Sequence, residues 1–160
     1  MLQKLKIILL ILIIFFTVVS FTFSSDLKEK LERLPGVTIE QRDSDSFFTE
    51  CYTILLAQPL DHQNPQKGEF TQRILLSHID YSRPVVLITE GYALYHNYIR
   101  ELSEILQANQ IRVEHRFFGE SKPDSMDWKY LNIDQAVHDH HRIVELFKTI
   151  YSGPWINTGW

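Results

Sequence analysis

Three short segments place glycine beside charged or aromatic residues in patterns that chemistry uses: Thr89-Glu90-Gly91-Tyr92, Glu114-His115-Arg116-Phe117-Phe118-Gly119-Glu120-Ser121, and the terminal Asn157-Thr158-Gly159-Trp160. Each offers backbone N–H groups to a ligand if it lies where a strand ends and a helix begins. Gly159-Trp160 is also the first half of a Gly-x-Ser-x-Gly turn, in which glycines permit the strained bend that lifts a nucleophilic serine above a sheet. Glu114, His115 and Arg116 suit an ion-pair and hydrogen-bond cluster beneath a site, with Arg116 bridging carboxylates. A fourth pattern, Asp134, His138 and His141 at i, i+4 and i+7, has zinc-binding side chains on one helical face. Three ligands on an exposed helix lack the surrounding groups that orient a metal site, so this face reads as solvated and no metal is assigned. His140 reads as a hydrogen-bonded core residue, Asp61-His62 as a polar loop, and Cys51 as a small buried strand residue.

The composition limits what these residues can serve. The chain has 160 residues, 44% hydrophobic and 22% charged, enough for one globular domain. Without residues 1–25 it carries 14 basic against 20 acidic side chains, so it lacks the basic footprint that phosphate backbones require, and nucleic acid is excluded as a partner. The single cysteine can form neither an internal disulfide nor a thiolate metal cluster. Stability must come from an apolar core.

Lys4 and Lys6 precede Ile7 to Phe23, in which only Thr17, Ser20 and Thr22 are not apolar. This is the charge-then-hydrocarbon order of a secretory signal, and residues 1–25 read as a signal peptide cleaved after Ser24 or as a retained membrane anchor. Both readings put the remainder outside the cytoplasm, periplasmic or secreted, with a membrane contact only through an uncleaved leader.

Residues 26–46 read as a charged lead-in: a short helix around Leu27 to Leu34, then an irregular segment. Cys51 to Gln58 and Phe70 to Ile79 are β-type runs on either side of turn formers that include Pro65 and Gly68, and predict an antiparallel pair. Val85 to Ile88 is continuously apolar, as in a strand covered on both faces. A helix is expected behind Asn97 as cap, from Tyr98 to Leu106, with Asn109 as a left-handed stop. Ile111 to His115 alternates as a strand, and Gly119 and Pro123 end it. Asn132 and Gln135 have capping-box spacing before a stripe of Ile133, Ala136, Val137, His140, Ile143, Val144, Phe147 and Ile150. Trp155 to Thr158 is a final strand. The order predicts an α/β fold: antiparallel first strands, then a mostly parallel sheet with covering helices. The three glycine-bearing segments would then stand at the carboxyl ends of its strands.

With that order in place, Gln58-Pro59-Leu60-Asp61-His62-Gln63-Asn64-Pro65, Thr89-Glu90-Gly91-Tyr92, the Glu114 to Ser121 run and Ile156-Asn157-Thr158-Gly159 resemble the secreted bacterial tripeptidyl and prolyl-tripeptidyl aminopeptidases, serine exopeptidases of α/β-hydrolase fold. The Glu114 to Ser121 run also looks like lysosomal prolylcarboxypeptidase and dipeptidyl-peptidase relatives. The resemblance covers residues 47–160, read as the amino-terminal part of the peptidase domain.

The resemblance implies a nucleophilic serine directly after Gly159-Trp160, followed by the acid and histidine of a triad, so the chain is expected to be an amino-terminal fragment, inactive alone, whose partners are peptide substrates and the remainder of its own polypeptide. All seven histidines precede that serine and cannot supply the triad's base, because in this fold the order is Ser, acid, His. The resemblance also places Gly91 and Tyr92 in the oxyanion-hole loop, with the Tyr92 N–H as donor and Gly91 allowing close approach. Glu90 is a candidate contact for a cationic substrate group. No cofactor is implied. The expected activity is release of short peptides from free amino ends; the alternatives are an esterase on the same frame and a small secreted α/β binding module.

Overall fold

The computed structural model describes residues 25–44 and 46–159; the leader through residue 24 and Trp160 lie outside them. Helix α1 (Asp26–Glu32) starts where the Ser25 hydroxyl accepts the Lys28 N–H at 3.1 Å, and its acidic first turn suits the helix dipole. Leu27 and Leu31, one turn apart, are buried in the main core. The segment after α1, expected to be irregular, instead contains strand β1 (Val37–Arg42), paired antiparallel with β2 (Glu50–Pro59). Residues 26–46 thus supply both a helix and an edge strand to the domain rather than leading into it.

β2 pairs antiparallel with β3 (Glu69–His78), as the two flanking β-type runs predict. β4 (Val85–Thr89), β5 (Asn109–Val113) and β6 (Trp155–Gly159) complete a six-stranded sheet in the order β1-β2-β3-β5-β4-β6. β5 pairs antiparallel with β3 and parallel with β4, and β6 is parallel to β4. From β4 the chain crosses to one neighbour and then returns to the other, so the strand order reverses at β4. Its carboxyl end is where such sheets open a crevice to ligands.

Helices cover both faces. α3 (Ile133–Lys148) packs Ile143 and Phe147, with α1, on a core that includes Ile54, Leu76, Leu87 and Val113. α2 (Glu101–Leu106) sets Leu102 and Leu106 against Val86, Ile88 and Ala108 on the other face. β4 needs apolar residues at consecutive positions because it is covered on both sides.

Several boundaries differ from expectation. α2 begins at Glu101, because the Asn97 amide donates sideways to the Ser77 hydroxyl at 2.9 Å instead of capping a helix. Its left-handed stop is Gln107, at φ 49°, whereas Asn109 opens β5 and its side chain accepts the Ile79 N–H at 2.7 Å. The Asn132 side chain caps α3 by accepting the Gln135 N–H at 3.0 Å, but Gln135 does not reciprocate; its own amide reaches Asp61 and the His62 N–H. Ile133 and Val137, expected on the core stripe, are 83% and 57% exposed. The buried face of α3 runs instead through Gln135, Ala136, Asp139, Ile143 and Phe147. Among the described residues, no helix is long and apolar enough to cross a membrane.

Candidate active site at the strand ends

Thr89 pairs with Val113 on one side and Gly159 on the other, so β4, β5 and β6 end level, with the three glycine-bearing segments issuing from one edge. The loop after β4, residues 90–100, has no regular structure of its own, and β5 shapes it. Alternation sends Ile111 and Val113 into the core and turns Gln110, Arg112 and Glu114 to the opposite side. All three are buried, so each needs hydrogen-bond partners, and each finds them in that loop. Gln110 accepts the Arg100 N–H at 2.9 Å and donates to the Tyr98 carbonyl at 3.0 Å. Arg112 donates to the Glu90 carboxylate at 3.0 and 2.6 Å and to the His96 carbonyl. Glu114 accepts the Leu94 N–H at 2.8 Å.

The candidate oxyanion segment is pinned on both sides. Glu90 N–H donates to the Val113 carbonyl at 3.0 Å, continuing the sheet by one residue, and His115 N–H donates to the Tyr92 carbonyl at 3.2 Å. Between these anchors, no group among the described residues accepts the Gly91 or Tyr92 N–H. The Tyr92 side chain is exposed and meets Phe118 edge-on at 5.3 Å. The cations that Glu90 meets belong to its own chain: Arg112, and Arg100 at 3.1 Å. Both guanidinium carbons also stand 4.6 Å from the Tyr98 ring centroid.

The Glu114-His115-Arg116 run does not form one cluster. Glu114 faces the loop after β4 and the turn that follows β5. Arg116 points to the other side of the strand and is fully buried, with Nε and Nη2 on the two Asp139 oxygens at 2.7 and 3.0 Å. Its remaining donors go to the carbonyls of Pro59, Leu60 and Tyr130. Arg116 therefore bridges one carboxylate and three carbonyls rather than several carboxylates. His62 joins it, with Nε2 2.7 Å from Asp139 Oδ1 and a side chain only 10% exposed, so Asp61-His62 is not simply a polar loop. The signal available in the sequence was Asp139 itself, an acid on the same helical face as Ala136 and Ile143.

Asp134, His138 and His141 are exposed, as a solvated face requires. His138 Nδ1 donates to the Asp134 carbonyl at 2.8 Å, and its ring stacks on His62 at 5.5 Å. Burial holds the His140 imidazole below its usual pKa. Asp61 is held below the usual carboxylate range, chiefly by the Asn64 amide.

Two openings flank this edge. A cavity of about 360 Å³ is lined by Ile88, Arg100, Thr158 and Gly159. A cleft of about 520 Å³ lies between the two loops and is lined by Tyr95, Phe117, Phe118, Met126 and Trp128. Phe117 is buried at φ 71°, a left-handed conformation unfavourable for an aromatic residue and of the kind that persists where the surroundings over-determine it.

A mixed sheet that reverses at β4, with covering helices on both faces, is an α/β fold of the α/β-hydrolase type. Solved structures agree: acetyl xylan esterase 1 from Thermoanaerobacterium sp. JW/SL YS485 matches with TM-score 0.51 and 10% identity over 82% of this chain and 48% of that one. The acetyl xylan esterase from Paenibacillus sp. R4 gives 0.50 and 11% over the same shares. At this identity they establish the fold alone. Within that class, the chain belongs to the PS-10 peptidase S37 family, whose pattern matches residues 22–160. It is 37% identical, over 84% of its length, to the prolyl tri/tetrapeptidyl aminopeptidase of Streptomyces mobaraensis. To the probable serine protease EDA2 of Arabidopsis thaliana it is 30% identical over 51% of its length. The chain spans 28% and 19% of the lengths of these relatives.

Proposed function

We propose that this chain is the amino-terminal part of an extracytoplasmic serine exopeptidase that releases short peptides from the free amino ends of polypeptides. The observation that carries the reading is the Gly91–Tyr92 backbone, held open between two anchors at the strand edge where β6 ends at Gly159. Membership of the peptidase S37 family and likeness to an aminopeptidase support the choice of peptide over ester. The Lys4 and Lys6 leader supports export.

In the full-length protein, a serine after Trp160 attacks the peptide carbonyl and a histidine takes its proton. The negative charge that develops on the carbonyl oxygen is met by the Tyr92 N–H and by the N–H of the residue after the serine. The histidine then protonates the leaving amine, and water repeats the sequence to free the released peptide. Gly91 lets the backbone approach the reacting carbon, and Glu90, held by Arg112 and Arg100, fixes where the loop leaves the strand.

The test is mass spectrometry of products from the full-length protein given one peptide with a free amino end, the same peptide acetylated there, and acetylated xylan. Short amino-terminal fragments from the free peptide only are expected. Cleavage of the ester alone would support the esterase reading instead.

A further inference from the structure

We propose that Glu114 is a positioning residue for acyl transfer, a buried carboxylate that sets the Tyr92 N–H by holding the loop after β4 on one oxygen and the turn after β5 on the other. This rests on the serine exopeptidase reading.

Glu114 is fully buried and makes no ion pair among the described residues. Burying a lone carboxylate is costly unless donors surround it, and here four do. Oε1 accepts the Leu94 N–H at 2.8 Å. Oε2 accepts the N–H groups of Glu120 and Ser121, both at 2.9 Å, and the Ser121 hydroxyl at 2.8 Å. Every partner is a donor, so the site needs an acceptor on both oxygens; a glutamine of the same shape must turn its NH₂ toward one of them.

The carboxylate has little freedom to shift. A Cβ at Gly119 would stand 2.0 Å from Oε1, so the turn closes directly over it. The next residue supplies the second anchor, His115 N–H to the Tyr92 carbonyl at 3.2 Å. Consecutive residues 114 and 115 thereby fix the loop at Leu94 and at Tyr92, the latter beside the N–H assigned to the oxyanion. A misplacement of about 1 Å in such a donor can cost up to about 100-fold in rate. The loss falls on the transition state, because only there does the full charge sit on the oxygen.

The experiment compares the full-length protein with its E114Q variant on a peptide substrate, on a peptidyl boronate whose tetrahedral oxygen mimics the oxyanion, and on the released product peptide. In E114Q, kcat is expected to fall about 10- to 100-fold with KM changed less than about 2-fold. Boronate affinity should fall by the same factor as kcat, and product affinity should stay unchanged. If E114Q does not melt cooperatively, Ser121→Ala, which removes one donor from Oε2, is expected to show the same pattern in smaller measure. Unchanged kcat and boronate affinity in a folded variant would overturn the proposal, as would a parallel fall in boronate and product affinity, which marks general loosening. A wild-type protein without peptidase activity would overturn the functional reading and this proposal with it; an active wild type with an unaffected variant overturns this proposal alone.

Discussion

Arg116 and Asp139 meet in a two-point pair, Nε on Oδ2 at 2.7 Å and Nη2 on Oδ1 at 3.0 Å, with both side chains fully buried. The pair joins the residue that follows β5 by three to the middle of α3, and the spare guanidinium donors tie in the turns at Pro59, Leu60 and Tyr130. Removing one partner leaves an uncompensated buried charge. Asp139→Ala is therefore expected to lower stability by about 3–5 kcal/mol, measured by urea denaturation; a loss below about 1 kcal/mol, the worth of an exposed pair, would contradict this.

Gly119→Ala tests the closure over Glu114 from the other side. Its φ of 53° strains any side chain, and the new Cβ would collide with Oε1. A loss of about 1–3 kcal/mol is expected, with the melting temperature as readout. Wild-type stability in this variant would mean that the turn can open without disturbing the carboxylate.

Stability should fall in mild acid. Burial holds both His78 and His140 below the usual 6.5, outweighing the acidic neighbours that act in the opposite direction, Glu50 and Asp80 for His78 and Asp139 for His140. Between their folded values and 6.5 the unfolded chain binds more protons, so stability rises with pH in that window and is lost as pH falls through it. Denaturation midpoints compared at about pH 7 and about pH 5 should show this, and His140→Gln should flatten the slope. A slope that His140→Gln leaves intact would assign the effect elsewhere.

Residues 26–160 expressed alone should associate. Among the described residues, β6 pairs with β4 on one side only, and Ile156, Ile133, Val137 and Trp128 are exposed. Light scattering is expected to report oligomers or aggregate. A sharply melting monomer would show that this edge and surface tolerate water without a covering partner.

Much of the fold was legible because its signals were local. β4 announced itself by four consecutive apolar residues, and α3 by the Asn132 cap. β1 was hidden because an edge strand is only partly buried, and Thr38, Glu40 and Gln41 face water among charges that read as irregular chain. Ile133 and Val137 obey helical periodicity yet lie exposed, since periodicity identifies a face without saying what covers it. In the site, the glycine beside Tyr92 and the strand ending at Gly159 were visible as patterns. The division of labour between Glu114 and Arg116 was not: opposite in charge and two apart in sequence, they serve different loops, a consequence of tertiary partners such as Leu94 and Asp139 that lie far along the chain.

The proposed serine chemistry is tested most directly by labelling the full-length protein with a fluorophosphonate and mapping the modified residue by peptide mass spectrometry. One labelled serine is expected, immediately after Gly159-Trp160, with peptidase activity lost in proportion to labelling. Label on any other residue, or full peptidase activity in protein labelled at that serine, would contradict that chemistry.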